Sequence, residues 1–182
     1  MEQTESQKSA DAGMRHIERA RQTNSFETVG IGEMRISADR KDVLATYSLG
    51  SCIGVVMHDP VAGAAGMIHC MLPLSKMSPE KAKMNPCMFV DTGIIKLLEG
   101  LFELGATRGN LSAVVAGAAH MLDTNRTFRI GQRNFAVLRK VLWKNDILVT
   151  AKDLGGTVSR SLFFHVGSGQ AALKKGGTVT PL

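Results

Sequence analysis

The stretch "TYSLGSCIGVVMHDPVAGAAGMIHCMLP", residues 46–73, decides how this chain is read. Two apolar runs rich in strand formers, Cys52 to Met57 and Ala65 to Leu72, flank a segment punctuated by Asp59-Pro60 and Gly63. Two such runs joined by turn residues predict an antiparallel pair of strands. A turn near "DPVAG" makes partner numbers sum to about 122 to 123, which sets Cys52 opposite residues 70 to 71. His69 is then within a residue or two of Cys52, so the hairpin alone joins a thiol to an imidazole.

Small residues surround that thiol. Gly50-Ser51-Cys52-Ile53-Gly54 matches the nucleophile-elbow pattern G-x-S-x-G with cysteine in the serine position. An elbow must lead into a helix, whereas "IGVVMHDP" is β-branched, short and stopped by proline, so an α/β-hydrolase is a poor reading. A free cysteine with pKa about 8.5 is only a few per cent thiolate at neutral pH and needs a base or a cation beside it. His58, beside the Asp59-Pro60 turn, and His69, inside "AAGMIHCMLP", are the nearby histidines. An imidazole amid Met, Ile and Leu must find a hydrogen-bond partner. His69 and the turn backbone are expected to lower the Cys52 pKa, with Cys70 and Cys87 in apolar surroundings. The residues alone leave inert packing of the thiol, and a satisfied core role for the histidine, as equal alternatives. A metal centre from His69, Cys70 and Cys87 is disfavoured, because adjacent strand residues face opposite ways.

Outward from the hairpin, 182 residues with 44 % hydrophobic side chains and a mean hydropathy of +0.02 suit one globular domain. No apolar run approaches the roughly 20 residues of a spanning helix, and "MEQTESQKSADAG" has no secretory layout. A cytoplasmic protein without membrane insertion is expected. Three cysteines, at 52, 70 and 87, with no C-x-x-C spacing, argue against a disulfide framework or a zinc ribbon. The net charge is +6, and residues 1–28 hold four cations against five anions, which leaves +7 on the remainder. A basic body attracts acidic partners. Aromatics at 5 % and the lack of any nucleic-acid-binding signature argue against nucleic acid.

Residues 1–27 are polar, with Ile17 isolated, and are expected to form a flexible N-terminal extension or a fraying helix, dispensable for folding. Residues 28–182 are expected to form the domain. Strands are predicted at Val29 to Ile36 and Val43 to Tyr47 besides the hairpin. "DTGIIKLLEGLFELGATRG" predicts a helix capped by Asp91 or Thr92 and stopped by Gly105. "LSAVVAGAAHML" predicts a buried strand and a glycine turn, "GQRNFAVLRKVLWKND" a second helix with Phe135, Leu138, Val141 and Leu142 inward, and "ILVTAKDL" and "RSLFFHV" two more strands. This order implies an α+β domain.

The first block, together with "VDTGI", "VVAGAAHM", "RIGQRN" and "AKDLGG", resembles the chemoreceptor glutamine deamidase family, CheD, from about residue 28 to about 170. Departures from the family pattern fall at "AGAAHM", where only Gly117 of a usual glycine pair remains, at His120 and at Gln132. The resemblance implies an α/β/β/α sandwich of two packed mixed sheets with flanking helices. It implies Cys52 as nucleophile, His69 as its base and Thr46 as the third catalytic residue. Backbone N–H groups around Ser51 to Ile53 would receive the oxyanion, and Gly50 and Gly54 would keep the backbone approachable. The implied reaction converts glutamine side chains on the cytoplasmic helical bundle of chemoreceptors to glutamate through a thioester, releasing ammonia, with no cofactor. The implied second partner is the chemotaxis phosphatase CheC. A non-catalytic adaptor of the same fold and a receptor glutamyl methylesterase are the rival readings.

Overall fold

The structure, a computed structural model, describes residues 2–23, 25–120 and 129–182, and only the backbone of residues 2–10. The predicted hairpin is present: β4 (Ile53–Asp59) and β5 (Ala64–Cys70) are antiparallel, with Ile53 opposite Cys70 and Gly54 opposite His69. Asp59 closes its turn by accepting the N–H groups of Val61 at 2.9 Å and Ala62 at 3.0 Å, while its other oxygen accepts the Thr107 N–H at 2.9 Å. Burial pushes the Asp59 carboxyl up, but these donors outweigh it and the net pKa is lowered.

The hairpin forms the middle of one five-stranded sheet, ordered β2 (Met34–Ser37), β5, β4, β6 (Ser112–Gly117), β7 (Leu148–Leu154). A second sheet runs β1 (Glu27–Thr28), β3 (Val43–Leu49), β8 (Arg160–His165), β9 (Gln170–Lys175), β10 (Thr178–Pro181). Both sheets are mixed, through the parallel pairs β6 with β7 and β1 with β3. Alternation along β4 and β5 divides their side chains between two cores. Ile53, Val55, Ile68 and Cys70 face α3 (Val90–Glu103) and α4 (Ile130–Lys144), where Ile94, Leu97, Leu101, Leu138 and Leu142 are buried. Val56, Ala65 and Met67 instead meet Leu44, Leu49, Leu162 and Phe164 of the second sheet. Burial on both faces explains why the hairpin reads as continuous apolar runs.

The other face of the second sheet is covered by α1 (Glu2–Thr23). Ile17 and Ala20 are buried there against Val43, Ala45, Phe163 and Ala172, with Met14 at the margin. A Cβ at Gly13 would collide with Ser168 and Gln170, so the helix lies directly on the β8–β9 turn. Ile17, isolated in the sequence, therefore belongs to a stripe Met14, Ile17, Ala20 at intervals of three, which is enough to dock a helix on a sheet that would otherwise be bare. A helix layer, two sheets and a second helix layer make the α/β/β/α sandwich.

Other expectations shift locally. The strand predicted over 29–36 is broken by a turn at Gly30 to Glu33, with Gly32 at φ +73°, and only Met34–Ser37 is extended. The cap of α3 is Phe89, and Asp91 in its first turn accepts the Ser75 N–H at 2.8 Å. Gly105 ends that helix region at φ +86°, as expected. Strands β9 and β10 and the short helix α2 (Pro79–Met84) had no clear signal in the sequence. Met121 and Leu122, which close the segment "LSAVVAGAAHML", lie outside the described residues. No described helix is long and apolar enough to cross a membrane.

Candidate active site

Thr46 and His69 come from different sheets and meet where the sheets face each other. Thr46 is on β3, His69 on β5, and both are buried. The His69 Nδ1 lies 2.8 Å from Thr46 Oγ1, and the same hydroxyl lies 2.8 Å from the Val29 carbonyl oxygen. A carbonyl only accepts, so the Thr46 proton goes to Val29, and the hydroxyl is left to accept the Nδ1 proton. The imidazole is thereby held with its proton on Nδ1. Its Nε2 has no partner among the described residues, and burial holds the ring down to about 4, so it is a neutral base at pH 7.

Cys52 stands one residue before Ile53, which pairs with Cys70, and lies partly buried against the inter-sheet core that includes Met67 and Val56. It therefore shares the His69 face of the sheet, diagonally across the ladder at a Cβ separation of roughly 7 Å. Gly54, opposite His69, leaves the gap that Leu49 and Thr46 fill: a Cβ there would lie 2.8 Å from Leu49 Cδ1 and 3.4 Å from Thr46 Cγ2. Cys52 is half-buried, whereas Cys70 is fully buried. Burial pushes the Cys52 thiol up, and its own backbone N–H only partly opposes this. That corrects the expected depression: a neutral His69 supplies no positive charge to favour thiolate. Burial likewise raises Cys87 and, most strongly, Cys70.

The turn bearing Cys52 is held from three sides. Ser48 is at φ 58°, and the Gly50 N–H donates to its carbonyl at 2.8 Å. The N–H groups of Ala118 and Ala119 donate to the carbonyls of Cys52 at 2.7 Å and Gly50 at 2.8 Å. Gly117, at φ +111°, is required there, because a Cβ would collide with the Cys52 carbonyl. Asn134 on α4 is fully buried, and its Nδ2 donates to Ser51 at 3.0 Å and Met71 at 3.1 Å. One amide thus ties the turn to the end of the histidine strand. Arg160, 1 % exposed, donates to the Gly117 carbonyl at 3.2 Å and to that of Asp153 at 2.8 Å, pinning the far side of the Gly117 turn. Sequence reasoning did not assign Asn134 or Arg160. The signal available for Asn134 was its place in "RIGQRN", inside an otherwise amphipathic helix.

The scaffold agrees with the comparisons. The family model "CheD chemotactic sensory transduction" matches residues 71–175. A protein of Solibacter usitatus is 46 % identical over 149 residues, covering 82 % of this chain and 88 % of the relative. The chain belongs to the CheD family. Relatives from Syntrophus aciditrophicus, at 40 % identity over 82 % of this chain and 93 % of its own length, and Thermococcus kodakarensis, at 33 % over 81 % and 91 %, extend the likeness across distant prokaryotes. All three carry the name "Probable chemoreceptor glutamine deamidase CheD", with a number added for the second. In CheD terms, the match to the family model begins two residues beyond His69, so the cysteine turn and the histidine strand stand on geometry and motif.

Proposed function

We propose that this protein is a protein-glutamine deamidase that converts glutamine side chains of chemoreceptors to glutamate in chemotactic adaptation. The observation that carries the reading is the Val29–Thr46–His69 relay, which leaves His69 Nε2 as a base without a partner among the described residues, on the face that bears Cys52. The names of the relatives support the substrate.

In this mechanism the Cys52 proton passes to His69 Nε2 as sulfur attacks the amide carbon, and the carbonyl π pair moves to oxygen. Backbone N–H groups of the Ser51 to Ile53 turn receive the oxyanion, and Gly50 shapes that turn. Collapse breaks the C–N bond, the His69 proton leaves with nitrogen as ammonia, and a thioester remains. Water then gives a proton to His69 as its oxygen attacks the thioester, the C–S bond breaks to yield glutamate, and the departing Cys52 sulfur takes the proton back from His69, restoring the neutral pair. Thr46 orients the imidazole. With the thiol neutral and the ring neutral at rest, proton removal accompanies attack rather than preceding it.

The receptor's cytoplasmic helical bundle is the proposed substrate, CheC the proposed restraining partner, and the cytoplasm the proposed compartment. Residues 28–182 form the proposed catalytic domain. In a test with a receptor cytoplasmic fragment, ammonia release and a peptide mass gain of one amide-to-acid exchange are expected for the parent. Cys52→Ala abolishes both, His69→Ala is nearly as severe, and Thr46→Ala is milder, since one orienting hydrogen bond contributes about 0.5 to 1.5 kcal/mol. Full activity in Cys52→Ala refutes the assignment.

A further inference from the structure

The positive charge of this protein is concentrated in two segments that adjoin the site. Residues 75–84 and 129–144 carry eight lysines and arginines against Glu80 alone, a net +7 where the whole chain has +6. All eight are exposed. The segments touch: Arg133 Nη2 of α4 lies 3.7 Å from Met77 Sδ. The next residue, Asn134, is the one that holds the Ser51 and Met71 carbonyls, so the basic surface begins at the rim of the cysteine turn. Along α4, Arg133, Arg139, Lys140 and Lys144 share the solvent face with Ala136 and Trp143, and Trp143 is 78 % exposed. An open groove of about 500 Å³ runs past Ala136, Arg139, Lys140 and Trp143. An indole left mostly in water beside Arg139, Lys140 and Lys144, which make no ion pair among the described residues, is the composition of a protein-binding surface.

We infer that the exposed face of α4, with the adjoining 75–84 segment, is the docking surface for an acidic helix of the substrate protein, whose glutamine is thereby presented to Cys52. The inference rests on the proposed function. From Arg133 to Lys144 the cations share one face of α4 over about 17 Å, so a partner helix with carboxylates on one face pairs with them in register, and Trp143 packs on its apolar stem atoms. The lone tryptophan offers no row of aromatics on which bases could stack, which favours protein over nucleic acid.

The test uses the full chain and three variants away from the catalytic groups: Arg139→Glu/Lys140→Glu/Lys144→Glu together, Trp143→Ala, and Lys140→Glu alone. Deamidation of a receptor cytoplasmic fragment is followed at about 0.05 M and about 0.5 M salt. Direct titration of the fragment, the rate of Cys52 alkylation by iodoacetamide and thermal melting are measured alongside. The triple variant should raise KM and the fragment's Kd at least about tenfold at low salt, with kcat within about twofold and alkylation unchanged. The parent's KM should rise with salt and the triple variant's should not. Unchanged KM, Kd and salt response in the triple variant overturn the docking surface, as does a loss confined to binding of anionic vesicles or duplex DNA. If the triple variant melts early, Trp143→Ala and Lys140→Glu carry the same comparison. A parent that binds the fragment but releases no ammonia sinks the proposed function alone, and the Kd comparison still decides the docking.

Discussion

His69 carries the residue-scale logic. An imidazole in an apolar strand is costly unless its polar atoms are used, and only Nδ1 is used in the resting fold. Burial holds its pKa at about 4, below the ordinary value of about 6.5. Catalysis by the neutral ring should therefore persist well below pH 6, with the acid limb of kcat/KM near pH 4 and no limb between 6 and 7. The same shift bears on stability. The unfolded state takes up the proton near pH 6.5 and the folded state only near 4, so stability from this group is complete above 6.5. It falls as the pH drops through that window. A pH–rate profile from 3.5 to 9, with melting curves at the same values, checks both, and an acid limb near 6.5 contradicts them.

At the scale of elements, α1 shows how few apolar side chains are needed to cover a sheet. Among its described side chains the apolar residues packed on the sheet are Ile17 and Ala20, with Met14 at the margin, in a mostly polar helix. Removing residues 1–25 uncovers Val43, Ala45, Phe163 and Ala172, so the truncated protein should lose solubility, contrary to the dispensable extension expected from composition. Ile17→Ala isolates the effect. It should destabilise by about 2 kcal/mol or more, seen as a lower midpoint in urea with deamidation at 25 °C unaltered, because α1 lies on the sheet face opposite the site. An unchanged midpoint means α1 does not hold the sheet. On the other side of the molecule, α4 acts differently, because Asn134 makes it a strut for the Cys52 turn as well as a cover.

For the whole molecule, the packing of sheet on sheet is what assembles the site. Thr46 and Cys52 are separated by a turn that crosses from one sheet to the other, and the Thr46–His69 bond spans the layer between them. Gly54 sets that spacing, since a Cβ would press on Leu49 and Thr46. Gly54→Ala should fold with a lowered melting temperature and lose about tenfold to a hundredfold in kcat, because displacements of the order of 1 Å at a positioning residue cost that much. Combining Gly54→Ala with Thr46→Ala in a double-mutant cycle should show strong non-additivity. Additive losses mean that the inter-sheet distance does not govern the histidine.

What the sequence determined by itself is what depends on local pattern. The apolar runs at 52–57 and 65–72, with Asp59-Pro60 between them, sufficed for the hairpin and its pairing sum, and so for the nearness of Cys52 and His69. The 3.6-residue spacing of Ile94, Leu97, Leu98 and Leu101 sufficed for α3. The tertiary structure alone set the hydroxyl of Thr46, the residue to which the resemblance pointed, against the ring and decided the tautomer, because Val29, Thr46 and His69 are brought together only by packing across 17 and 23 residues of chain. It alone placed the Asn134 amide on the cysteine turn, 83 residues from Ser51. It also reversed the expected direction of the Cys52 pKa, since proximity in a hairpin says nothing about desolvation, and burial of both thiol and imidazole keeps the pair neutral.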